Sequence, residues 1–231
     1  MTDSDAARLA GQPWPTLSHR DVMARLLGWG WLPCGVGDWA VGMRSPDGLS
    51  AARVCPFDPA YPAFLELCRR CAGNPWLPRV ELAAELEGGG SLAVLEFLAP
   101  ADAEFAARVA GQWRAAESDG ARQPELDPDF ETVRRTAQQI DAEFREHTPW
   151  WDGFDLNSAH VRRGLDGRPV LIDVFCVDGA ALYGQVLEDA TVVHRRLGRD
   201  RMRYMMEIPY IARESTVQEI EALRKALAAA L

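Results

Sequence analysis

The sequence predicts an α+β fold in two lobes: a mainly antiparallel β lobe over residues 1–98 and a reduced helical lobe over residues 99–231. Three observations predict it. Glycine-rich and apolar β-like segments, separated by turn signals, fill the chain up to Leu98. At Ala99-Pro100 the pattern changes, and apolar residues then recur at helical spacing. A polar loop carrying Asp155, followed by a short β-like run ending in Asp173, interrupts the helical half.

In chain order, residues 18–28 predict a short helix, with Ser18 as N-cap, Asp21 in its first turn and Gly28 as its stop. Residues 31–42 form a glycine-rich segment of strand character. Ser45-Pro46-Asp47-Gly48 is a turn joining a strand that ends near Arg44 to another at Leu49–Val54. Pro56 and Pro59 break the chain, and residues 60–72 predict a helix with Phe64, Leu65 and Cys68 on one face. Asn74-Pro75-Trp76-Leu77-Pro78 is a rigid loop. Arg79–Glu85 predicts a strand, Gly88-Gly89-Gly90 a hairpin turn, and Ser91–Leu98 an apolar strand.

Residues 101–117 predict a helix and Gly120–Pro128 a loop. A second helix covers 129–146, where Phe130, Val133, Ala137, Ile140 and Phe144 recur at helical spacing. Short strands are expected at 161–163 and 169–173, and helical stretches near 180–188 and 216–230. No internal repeat is evident.

With 231 residues, 48% of them apolar, the chain is long enough for one large domain or two lobes with a real core. The net charge of −9 argues against broad binding to nucleic acid or anionic membranes, so neither is expected as a partner. No apolar run approaches the roughly 18 residues of a membrane span. The acidic, polar start Met1-Thr2-Asp3-Ser4-Asp5 is not a signal peptide. Cys34, Cys55, Cys68, Cys71 and Cys176 are scattered, and Cys68-x-x-Cys71 lies in a helical pattern without a second pair. They read as thiols in a reducing cytoplasm, not as zinc ligands or disulfides.

The chemistry-bearing segments follow one another in a definite order. Gly35-x-Gly37-x-x-Ala40-Val41 is a hairpin glycine cluster whose backbone N–H groups are little covered by side chains. Arg53 stands on the next strand and Glu66 on the following helix. Glu96-Phe97-Leu98 ends an apolar strand. Asp155-Leu156-Asn157-x-x-His160 and Val170-Leu171-Ile172-Asp173-Val174-Phe175 carry the two aspartates. Phosphoryl transfer uses two carboxylates in this way: one orients the attacking hydroxyl and accepts its proton, and the other holds Mg²⁺ against the triphosphate.

Taken together, residues 33–175 resemble the protein-kinase-like family, most closely its small divergent bacterial and phage members and its aminoglycoside-phosphotransferase relatives. The resemblance implies ATP and Mg²⁺ as cofactors and a protein or small-molecule hydroxyl as acceptor. It implies Asp155 as the catalytic carboxylate and Asp173 as a metal ligand, with Asn157 and His160 as further candidates. It implies Gly35, Gly37 and Arg53 on the phosphates, Arg53 held by Glu66, and backbone contacts from Glu96 to Leu98 on the adenine. All of these residues would then face one cleft.

The chain departs from the pattern where chemistry is at stake. Arg53 replaces a lysine, and a planar guanidinium fork is not equivalent to a compact ammonium. His160 replaces an asparagine, and imidazole is a poor ligand for the hard Mg²⁺ ion. The third loop glycine is Ala40, and Gly153-Phe154 precede Asp155 where the family has His-Arg. The tail after Phe175 lacks an Ala-Pro-Glu segment. Three readings therefore stand at this stage: an ATP- and Mg²⁺-dependent phosphotransferase, a pseudokinase kept as a binding or regulatory module, and an unrelated α+β binding protein. Retention of both aspartates favours the first.

Overall fold

The computed structural model describes the backbone of residues 3–117 and 127–230, and the side chains of 7–115 and 127–230. The loop expected at Gly120–Pro128 lies outside the described residues as far as residue 126. The elements in chain order are α1 (Asp3–Ala10), α2 (His19–Gly28), β1 (Leu32–Val36), β2 (Val41–Arg44), β3 (Ser50–Cys55), α3 (Tyr61–Arg70), β4 (Val80–Glu85), β5 (Ser91–Glu96) and β6 (Ala99–Pro100). There follow α4 (Ala103–Glu117), α5 (Pro128–His147), β7 (Trp151–Phe154), β8 (Val161–Arg163), β9 (Pro169–Leu171), β10 (Phe175–Val177), α6 (Gly179–Leu197), α7 (Pro209–Glu214) and α8 (Val217–Ala229). This is a mixed α+β structure with a five-stranded antiparallel sheet and eight α-helices among the described residues.

The chain forms two compact units. The first comprises Met1–Asp58, Glu81–Leu95 and Asp178–Leu231; the second comprises Pro59–Val80 and Glu96–Val177. α3 therefore belongs to the second unit, and the C-terminal helices belong to the first.

In the first unit the sheet runs β1-β2-β3-β5-β4. α2 starts where the sequence places it. Ser18 Oγ accepts the Asp21 N–H at 3.2 Å, and Asp21 Oδ2 accepts the Ser18 N–H at 3.1 Å, so each satisfies an orphan donor of the helix start. The β2–β3 turn is also local in origin. Gly48 donates to Ser45 O at 2.9 Å with φ +73°, and Asp47 Oδ1 accepts the Leu49 N–H at 3.0 Å. Apolar residues of α2 and the sheet, among them Val22, Leu26, Trp31, Met43, Ala52, Val54, Leu92 and Val94, bury one another. Removal of this surface from water is the main stabilising term of the unit.

Between β4 and β5 a 3₁₀ turn at Glu87–Gly89 needs its glycines twice over. Gly89 has φ +84°, and a Cβ there would lie 2.5 Å from Arg201 O. The expected helix near 180–188 extends to Leu197, with a break at Asp189 (φ −156°, ψ 91°). It is followed by 3₁₀ turns at Asp200–Met202 and Met205–Glu207 and by α7, which periodicity alone did not predict.

In the second unit the three-stranded sheet runs β6-β8-β9, and β10 pairs antiparallel with β7. α5 buries Phe130, Val133, Ala137 and Ile140. A continuous aromatic chain runs from there to the strand pair. Ring centroids are 5.9 Å apart for Trp113 and Phe130, 5.5 Å for Trp113 and Phe154, and 5.6 Å for Phe154 and Phe175. β7 is a strand where the sequence suggested only a polar loop. Its residues Trp151-Asp152-Gly153-Phe154 have little strand pattern of their own; pairing with β10 supplies it.

Candidate active site

Phe154 and Phe175 are register partners in the β7–β10 ladder, and their rings stack at an interplanar angle of 29°. This fixed pair brings the two aspartate segments together. One residue past Phe154, the Asp155 N–H donates to Val174 O at 3.0 Å. Further along, the Ile172 N–H donates to His160 O at 2.9 Å. Asp173 thus sits between two backbone bonds, both made to the 155–160 loop. Its own φ is +46°, a left-handed conformation that aspartate tolerates better than most residues but that still costs about 1–3 kcal/mol. The surrounding bonds hold it there.

The 155–160 loop is knit internally. Asn157 caps the 3₁₀ turn Ser158–His160, its Oδ1 accepting the Ala159 N–H at 2.8 Å, and its Nδ2 donates to Asp155 Oδ1 at 3.2 Å. His160 donates from Nδ1 to the Asp155 carbonyl. This bond assigns the proton to Nδ1. The Asp155 side chain is half exposed, and Asp173 is half buried. An exposed carboxylate, oriented by an amide and set beside a second carboxylate's segment, can accept a proton from a hydroxyl brought to it.

Both aspartates offer hard oxygen donors, and Mg²⁺ commonly takes one or two carboxylates, leaving its other positions to phosphates and water. Carboxylate oxygens are the kind of donor that ion prefers. Asp173 and the Asp155 loop would hold it. Asn157 Oδ1 keeps a second lone pair, whereas His160 Nδ1 is committed to Asp155 O. Among the described residues no group of three or more His, Cys, Asp and Glu is placed to hold a metal by protein ligands alone.

The remaining sequence candidates lie as follows. Gly35 is on exposed β1, and Gly37 donates to Ala40 O at 2.9 Å across the hairpin end. A Cβ on Gly35 would meet nothing within 4 Å, and on Gly37 its nearest neighbour would be Ala40 O at 3.7 Å. Neither glycine has a positive φ, so among the described residues no packing demand accounts for either. The hairpin end is tethered: Asp38 pairs with Arg213, and the Tyr210 N–H donates to Asp38 O at 2.9 Å. Arg53, register partner of Gly42, forms a largely buried ion pair with Asp58 at 2.5 Å. Glu66 accepts from Arg69 and Arg70, whose hydrogen bonds hold its carboxyl down at about 2, and Arg70 continues to Glu143 on α5 at 2.6 Å. Cys68 is buried, and burial pushes its thiol up to about 12, so it is protonated at neutral pH.

Glu96 is buried at the end of β5, and Leu98 is half buried. The Glu96 N–H donates to Arg79 O at 3.1 Å, while its carboxylate accepts the Arg79 N–H at 2.8 Å and pairs with Arg168. Sequence reading missed Arg168. It lies in the turn between β8 and β9, where a cation reads as solvated; only its distant partner distinguishes it.

No family model matches the chain, and no curated protein matches it. Among solved structures it is similar to an apo pseudokinase at 13% identity and a TM-score of 0.28, over 94% of this chain and 90% of that one. A likeness at that TM-score fixes neither fold nor activity.

Proposed function

We propose that this chain is a kinase-like phosphotransferase that moves the γ-phosphate of ATP to a hydroxyl of a protein or small molecule. The observation that carries the reading is the double backbone bond that sets Asp173 against the Asp155 loop, Asp155 N–H to Val174 O and Ile172 N–H to His160 O. The element order supports it: a glycine hairpin, a cationic strand, a helix, a strand leading into Glu96-Phe97-Leu98, two helices, then the aspartate loop and strand pair.

In this reading Asp155 orients the acceptor and takes its proton as the hydroxyl oxygen bonds to the γ-phosphorus. The bond from that phosphorus to the bridging oxygen breaks, and ADP leaves. Asp173 would hold Mg²⁺, whose chemistry there would be to neutralise charge on the phosphates. Glu96 to Leu98 keep their proposed contact with the base.

One observation favours a second reading, a pseudokinase acting as a binding or regulatory module. Arg53 is engaged by Asp58, and Glu66 by Arg69 and Arg70, so both charges already have partners within their own segments. Incubation with γ-labelled ATP separates the two. The phosphotransferase labels an acceptor or releases labelled phosphate, and Asp155→Ala does neither while still binding nucleotide. Equal turnover in wild type and Asp155→Ala would exclude the catalytic role, and no turnover in either would favour the module.

A further inference from the structure

Arg168 holds four groups with one guanidinium. Nη2 pairs with the buried Glu96 carboxylate at the end of β5. Nη1 donates to Pro75 O at 2.6 Å and Leu77 O at 3.3 Å, and Nε lies 3.2 Å from Asp166 Oδ2. A second bond reinforces the tie, the Leu171 N–H donating to Trp76 O at 2.7 Å. Only arginine has a planar fork with enough donors to serve a carboxylate and two carbonyls together.

The segments joined in this way have different proposed tasks. Glu96 opens the 96–98 stretch read as the contact for the base. Arg168 precedes β9, which ends at Leu171 and leads through Ile172 into Asp173, the proposed metal ligand. We infer that Arg168 is a positioning residue for nucleotide: through Glu96 it fixes the 96–98 backbone at a set distance from Asp173, so that base and phosphates are bound together. Without Arg168 the buried Glu96 would keep only the exposed Arg79 guanidinium, 3.8 Å away, and the Arg79 N–H, and the strand end would move to reach water. The inference rests on the phosphotransferase reading, or on its nucleotide-binding alternative, and deepens both.

The test compares two ligands in the presence of Mg²⁺: ATP, and inorganic tripolyphosphate, which has no base. Wild type should bind ATP more tightly than tripolyphosphate. Arg168→Met should weaken ATP by about tenfold, equivalent to about 1.4 kcal/mol, and leave tripolyphosphate within about twofold. Glu96→Gln should weaken ATP in the same direction, and the double variant should be little worse than either single one. If Arg168→Met does not fold, Arg168→Lys keeps a cation beside Glu96 and gives up the two carbonyls, and the same selective loss is expected of it. Equal weakening of both ligands, or unchanged ATP binding in a folded variant, would overturn the inference. So would failure of both Arg168 variants to fold, which would assign the pair to folding alone. Wild type that binds neither ligand would refute the nucleotide reading itself, and is a distinct result.

Discussion

The Asp155 N–H donates to the Val174 carbonyl at 3.0 Å, one step beyond the stacked pair of Phe154 and Phe175. The register of a two-strand ladder therefore sets the spacing of the two aspartate segments. Packing is the cause, and the spacing of the two backbone segments is its consequence.

Removal of that packing should be costly. Phe175 is 6% exposed and contacts both Phe154 and Trp151. Phe175→Ala is expected to destabilise the protein by about 3–5 kcal/mol. It should also weaken Mg²⁺-dependent nucleotide binding, measured in whatever fraction stays folded. Urea denaturation gives the first number; a loss below about 1 kcal/mol would mean that the ladder does not depend on this ring.

Gly89→Ala tests the joint between the β4–β5 turn and the C-terminal segment. The new Cβ would lie 2.5 Å from Arg201 O and 2.6 Å from Arg201 Cα, at φ +84°. Backbone strain alone costs about 1–3 kcal/mol, and displacement of Arg201 adds to it. A clear drop in melting temperature is expected. An unchanged melting temperature would show that the contact yields freely.

His19 gives the fold a pH dependence. It is buried at the start of α2, with Nε2 3.2 Å from Glu207 Oε2 and its ring 5.0 Å from that of Tyr204. Its Nδ1 is buried without a hydrogen-bond partner among the described residues. Burial lowers its pKa, with Arg20 acting in the same direction, while Glu207 and Asp21 oppose it. A lowered histidine pKa means that the unfolded chain takes up the proton first. The associated stability is complete above about pH 6.5, the unfolded value, and is lost as pH falls through the folded value. His19→Gln should remove that component, so the difference in stability between wild type and variant should shrink on acidification below about pH 6.5. A difference that is constant or grows across that range would contradict the assignment.

Much of the local structure was legible because its causes are local. Ser18 and Asp21 announce α2, Ser45 to Gly48 announce the β2–β3 turn, and the spacing of Phe130, Val133, Ala137 and Ile140 announces α5. Asp155 and Asp173 stood out as a pair because a polar loop carrying the first is followed by a short β-like run that ends in the second. What was not legible depends on distant partners. β7 is a strand only because β10 lies beside it. Arg168 matters because Glu96, far away in sequence, is buried and charged. The segment from Asp189 to Glu214 lacks a strong period, and contacts such as Tyr204 over Gly88 and Tyr210 on Asp38 organise it. Periodicity cannot report such contacts.

The central claim is that Asp173 and the Asp155 loop form a metal-dependent nucleotide site. The most direct measurement is calorimetric titration of ATP into wild type and Asp173→Asn, each with Mg²⁺ and with chelator. We expect wild-type binding to weaken by at least about tenfold when Mg²⁺ is removed, and Asp173→Asn to bind equally weakly in both conditions. Wild-type affinity that is the same with Mg²⁺ and with chelator would contradict the account.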